Sequence, residues 1–269
     1  MHPRVGACTY CDASRTTPTA RPIDGVCGSY SQRVKPLAPT FDTAAQRWTI
    51  DVPSATSSAD LADALPAAVS AVSDAGGGVT HLWIHEINDD LDVVATDHDF
   101  TPHRDLWQLR CDLPAERSTI ETRAFTIEDA ASMVAVNNRA FSWHPEQSGL
   151  TVEALTKTMQ EPWFNADGFR LYQPDDELLG FCWTKVHADL DPVLGEIYVI
   201  AVDPSAHGQG LGSPMTLAGL DWLAAQGIAH GMLYVESDNA AANRTYERIG
   251  FVHHHTDRAY NRTIETSAR

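Results

Sequence analysis

The sequence predicts a mixed α/β sheet carried in two halves of the chain, with the chemistry in the second half. Three observations point to it. From about Ile120 onward, helical patterns fall between strand patterns, which argues for helices packed on a sheet rather than a bundle or a sandwich. A continuous apolar strand at Tyr198–Val202 runs through a glycine-rich turn straight into a helix. A helical pattern over Asn239–Ile249 ends at Gly250, where a left-handed carboxy-terminal cap is wanted, and Phe251 re-enters the core.

Residues 1–40 are rich in Thr, Pro, Ser and Arg with little periodicity, and are expected to be poorly ordered or a partial segment. Arg47–Val52 alternates as a strand, and Ser58–Ser73 is an Ala/Leu/Val helix broken by Gly76–Gly78. Thr80–His85 and Asp105–Asp112 read as further strands, with a helix between them. Residues 41–115 form the expected first domain and Pro114–Ser118 a hinge.

The second domain, residues 120–269, opens on a strand near Ile120–Ala124 and a capping box at Thr126–Asp129 that starts a helix to about Phe141. A helix follows at Thr151–Gln160, with strands at Phe169–Gln173, Leu178–His187 and Gly195–Val202. A helix at Gly210–Gln226, a strand at Gly231–Glu236, the helix at Asn239–Ile249 and a strand from Phe251 complete it.

Bulk properties narrow the function. Acidic residues outnumber basic ones 36 to 19 and the net charge is −17, a field that repels nucleic acid and anionic membranes. A polyanionic ligand must then be held by local donors rather than by the global field. No apolar run is long enough to span a bilayer, and Met1–Tyr10 lacks the apolar core of a signal peptide, so a cytoplasmic protein is expected. The 5 cysteines are scattered and odd in number, as reduced thiols are, and Cys8 and Cys11 have no second pair at zinc-ribbon distance. His253–His255 alternate across a strand and cannot all ligate one ion, so no metal is expected.

The stretch Tyr198–Ser213 carries the most chemistry. Gly208, Gly210 and Gly212 permit close backbone approach, and the helix that follows offers unpaired N–H groups and a positive dipole end. Pro214 falls in the first helical turn, where its missing N–H is no loss. Such a turn holds a pyrophosphate without a basic surface. No Gly-Lys-Ser/Thr follows, so it is not a Walker loop, and Ser213 stands where a dinucleotide fingerprint needs its third glycine.

Val202–Gly212 resembles the acetyl-CoA loop of the GNAT superfamily, with His207 where that family usually has Gln or Arg. Asn239–Phe251 resembles the superfamily's N-x-x-A-x-x-x-Y-x-x-x-G-F segment at every fixed position. The resemblance implies acetyl-CoA as cosubstrate. It would be held by Ile200, Ala201, Val202, His207, Gly208, Gln209, Gly210, Leu211, Gly212 and Ser213, with Asn239, Ala240, Ala241, Ala242, Asn243 and Arg244.

N-acetylation needs a base for the acceptor ammonium and a proton donor for the departing thiolate. The resemblance places Tyr246 as the donor. Glu196 opens the strand leading to the loop, and strict alternation puts it on one face with Tyr198 and Ile200, where it can deprotonate an amine through a water. The amides around Ile200–Val202 are candidates to receive the carbonyl oxygen.

Within the superfamily, four segments resemble the mycothiol synthases, a family with two GNAT-like halves: Asn137–Gln147, Leu179–His187, Gly195–Val199 and Leu233–Asn239, with Glu161–Phe164 besides. That resemblance implies acetylation of the cysteinyl amine of a cysteinyl-glucosaminyl-inositol, the last step of mycothiol biosynthesis, with Glu146, Lys185, Glu196 and Tyr234 contacting the acceptor. It also implies a monomeric enzyme with a small-molecule substrate. The first half departs from the pattern: Pro53–Ser58 holds the place of the phosphate loop without a glycine. It reads as a degenerate, non-catalytic repeat, and the family's acidic acceptor contact has no clear counterpart near Asp24–Gln32. The alternatives are a GNAT enzyme acting on another small amine or a protein amino-terminus, and a non-catalytic CoA-binding protein.

Overall fold

The computed structural model describes residues 36–43, 45–142 and 149–267. In chain order the elements are β1 (Thr40–Asp42), β2 (Arg47–Val52), α1 (Ser58–Asp74), β3 (Gly78–Ile84), α2 (Asp89–Asp97) and β4 (Thr101–Asp112). Then follow β5 (Arg123–Ala124), α3 (Ala130–Ala140), α4 (Val152–Thr158), β6 (Phe169–Tyr172), β7 (Gly180–His187) and β8 (Leu194–Val202). The chain ends with α5 (Gly212–Ala225), β9 (His230–Glu236), α6 (Ala240–Ile249) and β10 (Val252–Ile264). They form two compact units, whose described parts fall within residues 36–105 with 256–267, and within 106–255.

In the amino-terminal unit β1 pairs antiparallel with β2, β2 parallel with β3, and β3 antiparallel with Arg258–Ile264 of β10. Helix α1 starts where the Ser57 side chain accepts the Asp60 N–H at 3.1 Å. Its buried residues, Leu61, Leu65, Ala68 and Val72, recur at helical spacing and meet Ile50, Val52, Leu82 and Ile84 in one core.

The carboxy-terminal unit is a mixed sheet in the order β4-β9-β8-β7-β6-β5. Helix α5 is apolar nearly all round, with Met215–Leu220 and Leu223 buried, because it lies on the sheet's center. The opposite face is covered by α3 and α4, over an aromatic stack in which Phe169 lies flat on Phe125 at 4.6 Å and on Trp183 at 4.7 Å. Helix α3 follows a short 3-10 turn whose Asp129 accepts the Thr126 N–H at 2.8 Å, the box expected from the sequence.

Two irregularities in this sheet make room for a site. The β7–β8 register slips between Trp183 and Thr184, so that Trp183 faces Val199 while Thr184 faces Ile197, and Tyr198 is the extra residue of a bulge. The parallel ladder between β8 and β9 is confined to Gly195 with Gly231 and Glu196 with Met232. Beyond it the β8 edge toward β9 has no strand partner among the described residues, although β7 stays paired on the other edge as far as Val202.

The bulge corrects one expectation. Tyr198 and Val199 both turn into the core under α3, while Ile200 packs in the core under α5. Ile200 therefore does not share the Glu196–Tyr198 face, because one inserted residue inverts the alternation downstream.

Candidate active site

The turn after β8 is built by its own side chains. Asp203 accepts the Ser205 N–H at 2.9 Å and the Arg139 Nε–H at 2.8 Å, tying the loop to α3. Burial pushes the Asp203 carboxyl up, but these donors outweigh it and hold the group below the ordinary carboxylate range. The His207 imidazole folds back and donates from Nε2 to the Val202 carbonyl at 3.2 Å, so it braces the turn.

Gly208 and Gly210 take positive φ of 83° and 75°, and a Cβ at either would project into open space. Helix α5 begins without a side-chain cap and without an acidic residue in its first turn. The amides of Gly208, Gly210, Leu211, Gly212 and Ser213 have no backbone acceptor among the described residues. These residues line a cleft of about 300 Å³ with Val202, Ala206 and His207, and with Ala241, Thr245 and Arg248 of α6. A phosphate fits this donor set, since the groups presented are backbone N–H, one hydroxyl-bearing side chain on each helix and one guanidinium.

Of the residues expected here from the sequence, Ile200 and Ala201 are buried in the two cores. Asn239 caps α6 by accepting the Ala242 N–H at 3.2 Å, and Asn243 bonds the carbonyls of Glu236 and Ser237. Gln209, Ala240, Ala242 and Arg244 lie outside the cleft wall, whereas Thr245 and Arg248 belong to it. Ala241, Thr245 and Arg248 are spaced by about one helical turn each, so they share a face.

Tyr246 is fully buried beside Phe251, and its hydroxyl has no hydrogen-bond partner among the described residues. Burial, with the nearby Cys182 thiol, pushes this phenol above the ordinary tyrosine range, so it keeps its proton. The Nδ2 of Asn239 is likewise buried and unpartnered, one position before α6. Orphaned polar atoms of this kind are expected where a ligand completes the bonding.

On the other face of the sheet Glu196 is 1% exposed and lies directly opposite Lys185 of β7. The two do not pair. The Lys185 ammonium sits over the rings of Trp163 at 4.6 Å and Tyr198 at 5.4 Å, while Glu196 Oε2 accepts from His187 Nε2 at 2.7 Å. Tyr234, next to Met232 on the same face of β9, takes a hydrogen bond from Gln108 at 2.7 Å, and Gln108 takes one from Arg110. Lys185, Glu196 and Tyr234 thus lie on one sheet face; Glu146 is outside the described residues. His187 and Gln108 were not anticipated. His187 was within reach of the sequence, because it stands two residues from Lys185 and so shares its face. Gln108 depends on a long-range pairing of β4 with β9 that no local pattern announces.

Among the described residues no helix is long and apolar enough to cross a membrane, and no group of three or more His, Cys, Asp or Glu side chains could hold a metal ion.

The sequence profile of the acetyltransferase (GNAT) family matches residues 135–251. A mycothiol acetyltransferase of Rhodococcus erythropolis is 42% identical over 208 residues, covering 72% of this chain and 70% of the relative. Another, of Mycobacteroides abscessus, is 45% identical over 195 residues, covering 70% of this chain and 66% of the relative. The chain spans about two thirds of the length of these relatives. Among solved structures, a GCN5-related N-acetyltransferase from Sphaerobacter thermophilus superposes with a TM-score of 0.65 at 16% identity, covering 82% of this chain and 74% of that one. A tandem GNAT protein from the clavulanic acid biosynthesis pathway gives 0.59 at 14% identity, covering 82% and 76%. At these identities the structural likeness bears on the fold alone.

Proposed function

We infer that this chain, which belongs to the mycothiol acetyltransferase family, transfers an acetyl group from acetyl-CoA to the cysteinyl amine of cysteinyl-glucosaminyl-inositol. The observation that carries the reading is a buried carboxylate, Glu196, on the strand whose far end opens into a glycine-lined cradle of unpaired amides.

When bound, acetyl-CoA supplies the acetyl group as a thioester. The amides of Gly208 and Gly210–Ser213 would hold its pyrophosphate, with Thr245 and Arg248 on the facing helix. The edge of β8 around Ile200–Val202, beyond its ladder with β9, is a candidate to present backbone N–H groups to a carbonyl oxygen. Glu196 takes a proton from the acceptor's ammonium, directly or through one water. Tyr246 keeps its hydroxyl proton at neutral pH and can donate it to a departing thiolate.

Glu196, Lys185 and Tyr234 offer one acceptor-only group, one donor-only group and one of both kinds. That set suits an acceptor with many hydroxyls and one ammonium. In the amino-terminal unit the Ser57 side chain caps α1, so among the described residues no such cradle forms there, and the unit is read as a non-catalytic repeat.

The test is kcat/KM for the cysteinyl pseudo-disaccharide against free cysteine, followed by release of the CoA thiol. A site built on paired polar groups rejects analogues that leave them unpaired, so free cysteine is expected to be at least about 100-fold poorer. Equal values would remove the acceptor assignment and leave acetyl transfer to another small amine.

A further inference from the structure

Glu196 lies opposite Lys185 on a shared sheet face, the arrangement that ordinarily gives a cross-strand ion pair. Here the ammonium is drawn off onto Trp163 and Tyr198, and the carboxylate is bonded by His187 instead. A carboxylate can only accept, so His187 Nε2 carries the hydrogen. That bond uses Oε2 and leaves Oε1 without a partner among the described residues. The imidazole is 19% exposed while the carboxylate is 1% exposed, so the histidine stands between the base and water.

We propose that His187 is the positioning residue for the base: it fixes the Glu196 carboxylate through Oε2 and directs Oε1 at the acceptor amine. The proposal rests on Glu196 acting as the base. Two features make the arrangement functional rather than only structural. A lysine paired with Glu196 would occupy the carboxylate with an ammonium, and the aromatic platform of Trp163 and Tyr198 removes that pairing. The one N–H given by His187 engages a single carboxylate oxygen and leaves the other for the acceptor.

The groups that face Glu196 are Lys185 and His187 on β7, Tyr198 on its own strand, and Tyr234 on β9 with Gln108 behind it. The members of α3 that pack into the core beside Tyr198 are Ala130, Met133 and Val136, which do not titrate.

A pair of variants of similar reach tests the proposal. His187→Met fills the space without a donor, and His187→Gln restores a donor near the Nε2 position. A buried carboxylate deprived of its donor ionises at higher pH. In His187→Met the acidic limb of the kcat/KM profile is therefore expected to move up by about one pH unit, with about a tenfold loss of rate below it. His187→Gln should return the limb toward wild type, and the calorimetric affinity for acetyl-CoA should be unchanged in both. A limb that stays in place in His187→Met, whether or not the rate falls, overturns the proposal, as does a shift that His187→Gln fails to reverse. Glu196→Gln is run alongside. If that variant keeps wild-type rates, the base assignment itself fails; if it collapses while His187→Met keeps its profile, only the role of His187 fails.

Discussion

Both units contain a strand that enters a turn and then a helix, and the two turns solve the helix amino-terminus in opposite ways. After β2, the Ser57 hydroxyl caps α1, accepting the Asp60 N–H and donating to the Asp60 carboxylate at 2.7 Å. That helix end is filled by its own acidic side chain. After β8, α5 starts with no side-chain cap, no first-turn acid and two positive-φ glycines facing open space. The same supersecondary unit is a closed joint in one place and an open row of amide donors in the other. What separates them is whether the chain satisfies the helix amides itself.

The sharpest division between the units is expected in catalysis. Tyr246→Phe keeps the buried ring and removes the proton, so kcat should fall by about 10²–10⁴-fold with acetyl-CoA affinity nearly unchanged. A rate within a few-fold of wild type would remove Tyr246 from the chemistry. Next, the amino-terminal solution can be moved into the carboxy-terminal unit. Ser213→Asp puts a carboxylate in the first turn of α5, where it should weaken acetyl-CoA binding by about 100-fold in a calorimetric titration.

The converse change should affect stability only. Ser57→Ala removes the cap of α1 and should cost about 1 kcal/mol in denaturant unfolding, with activity per folded molecule retained. The amino-terminal unit should also respond to pH on its own terms. His85 is bonded to Asp257 at 2.7 Å and to Asp51 at 2.9 Å. Burial opposes the charged imidazole, but these two carboxylates outweigh it and push the group up to about 9. A group raised in this way contributes stability that is full below about pH 6.5 and lost as pH rises through 9. The wild-type Tm should fall between pH 7 and 9.5 more than that of His85→Gln. Parallel pH dependence in both would show that the pair adds nothing. Last and smallest, His207→Gln should change acetyl-CoA affinity by less than about threefold, because the imidazole braces the turn and the amides do the holding.

Much of the fold could be read in the sequence because the decisive signals are local. Helix α6 shows this: Gly250 ends it at φ 103° in the left-handed region and Phe251 returns to the core, both legible from spacing. What was hidden depended on register. The bulge at Tyr198 moved Ile200 into the other core, and no periodicity argument detects an inserted residue. Tyr234 could be named from its segment, but its hydrogen bond to Gln108 of β4 depends on a pairing of distant strands. The weaving of β4 and β10 also set the unit boundaries at residues 105–106 and 255–256, which composition near Pro114 did not mark.

The contrast between an open and a filled helix end is tested most directly by calorimetric titration of acetyl-CoA into the wild-type chain, Ser213→Asp and Ser57→Ala. The account predicts one site per chain, strongly weakened by the change at α5 and untouched by the change at α1. Two equivalent sites, or a loss of binding in Ser57→Ala with Ser213→Asp unaffected, would contradict it.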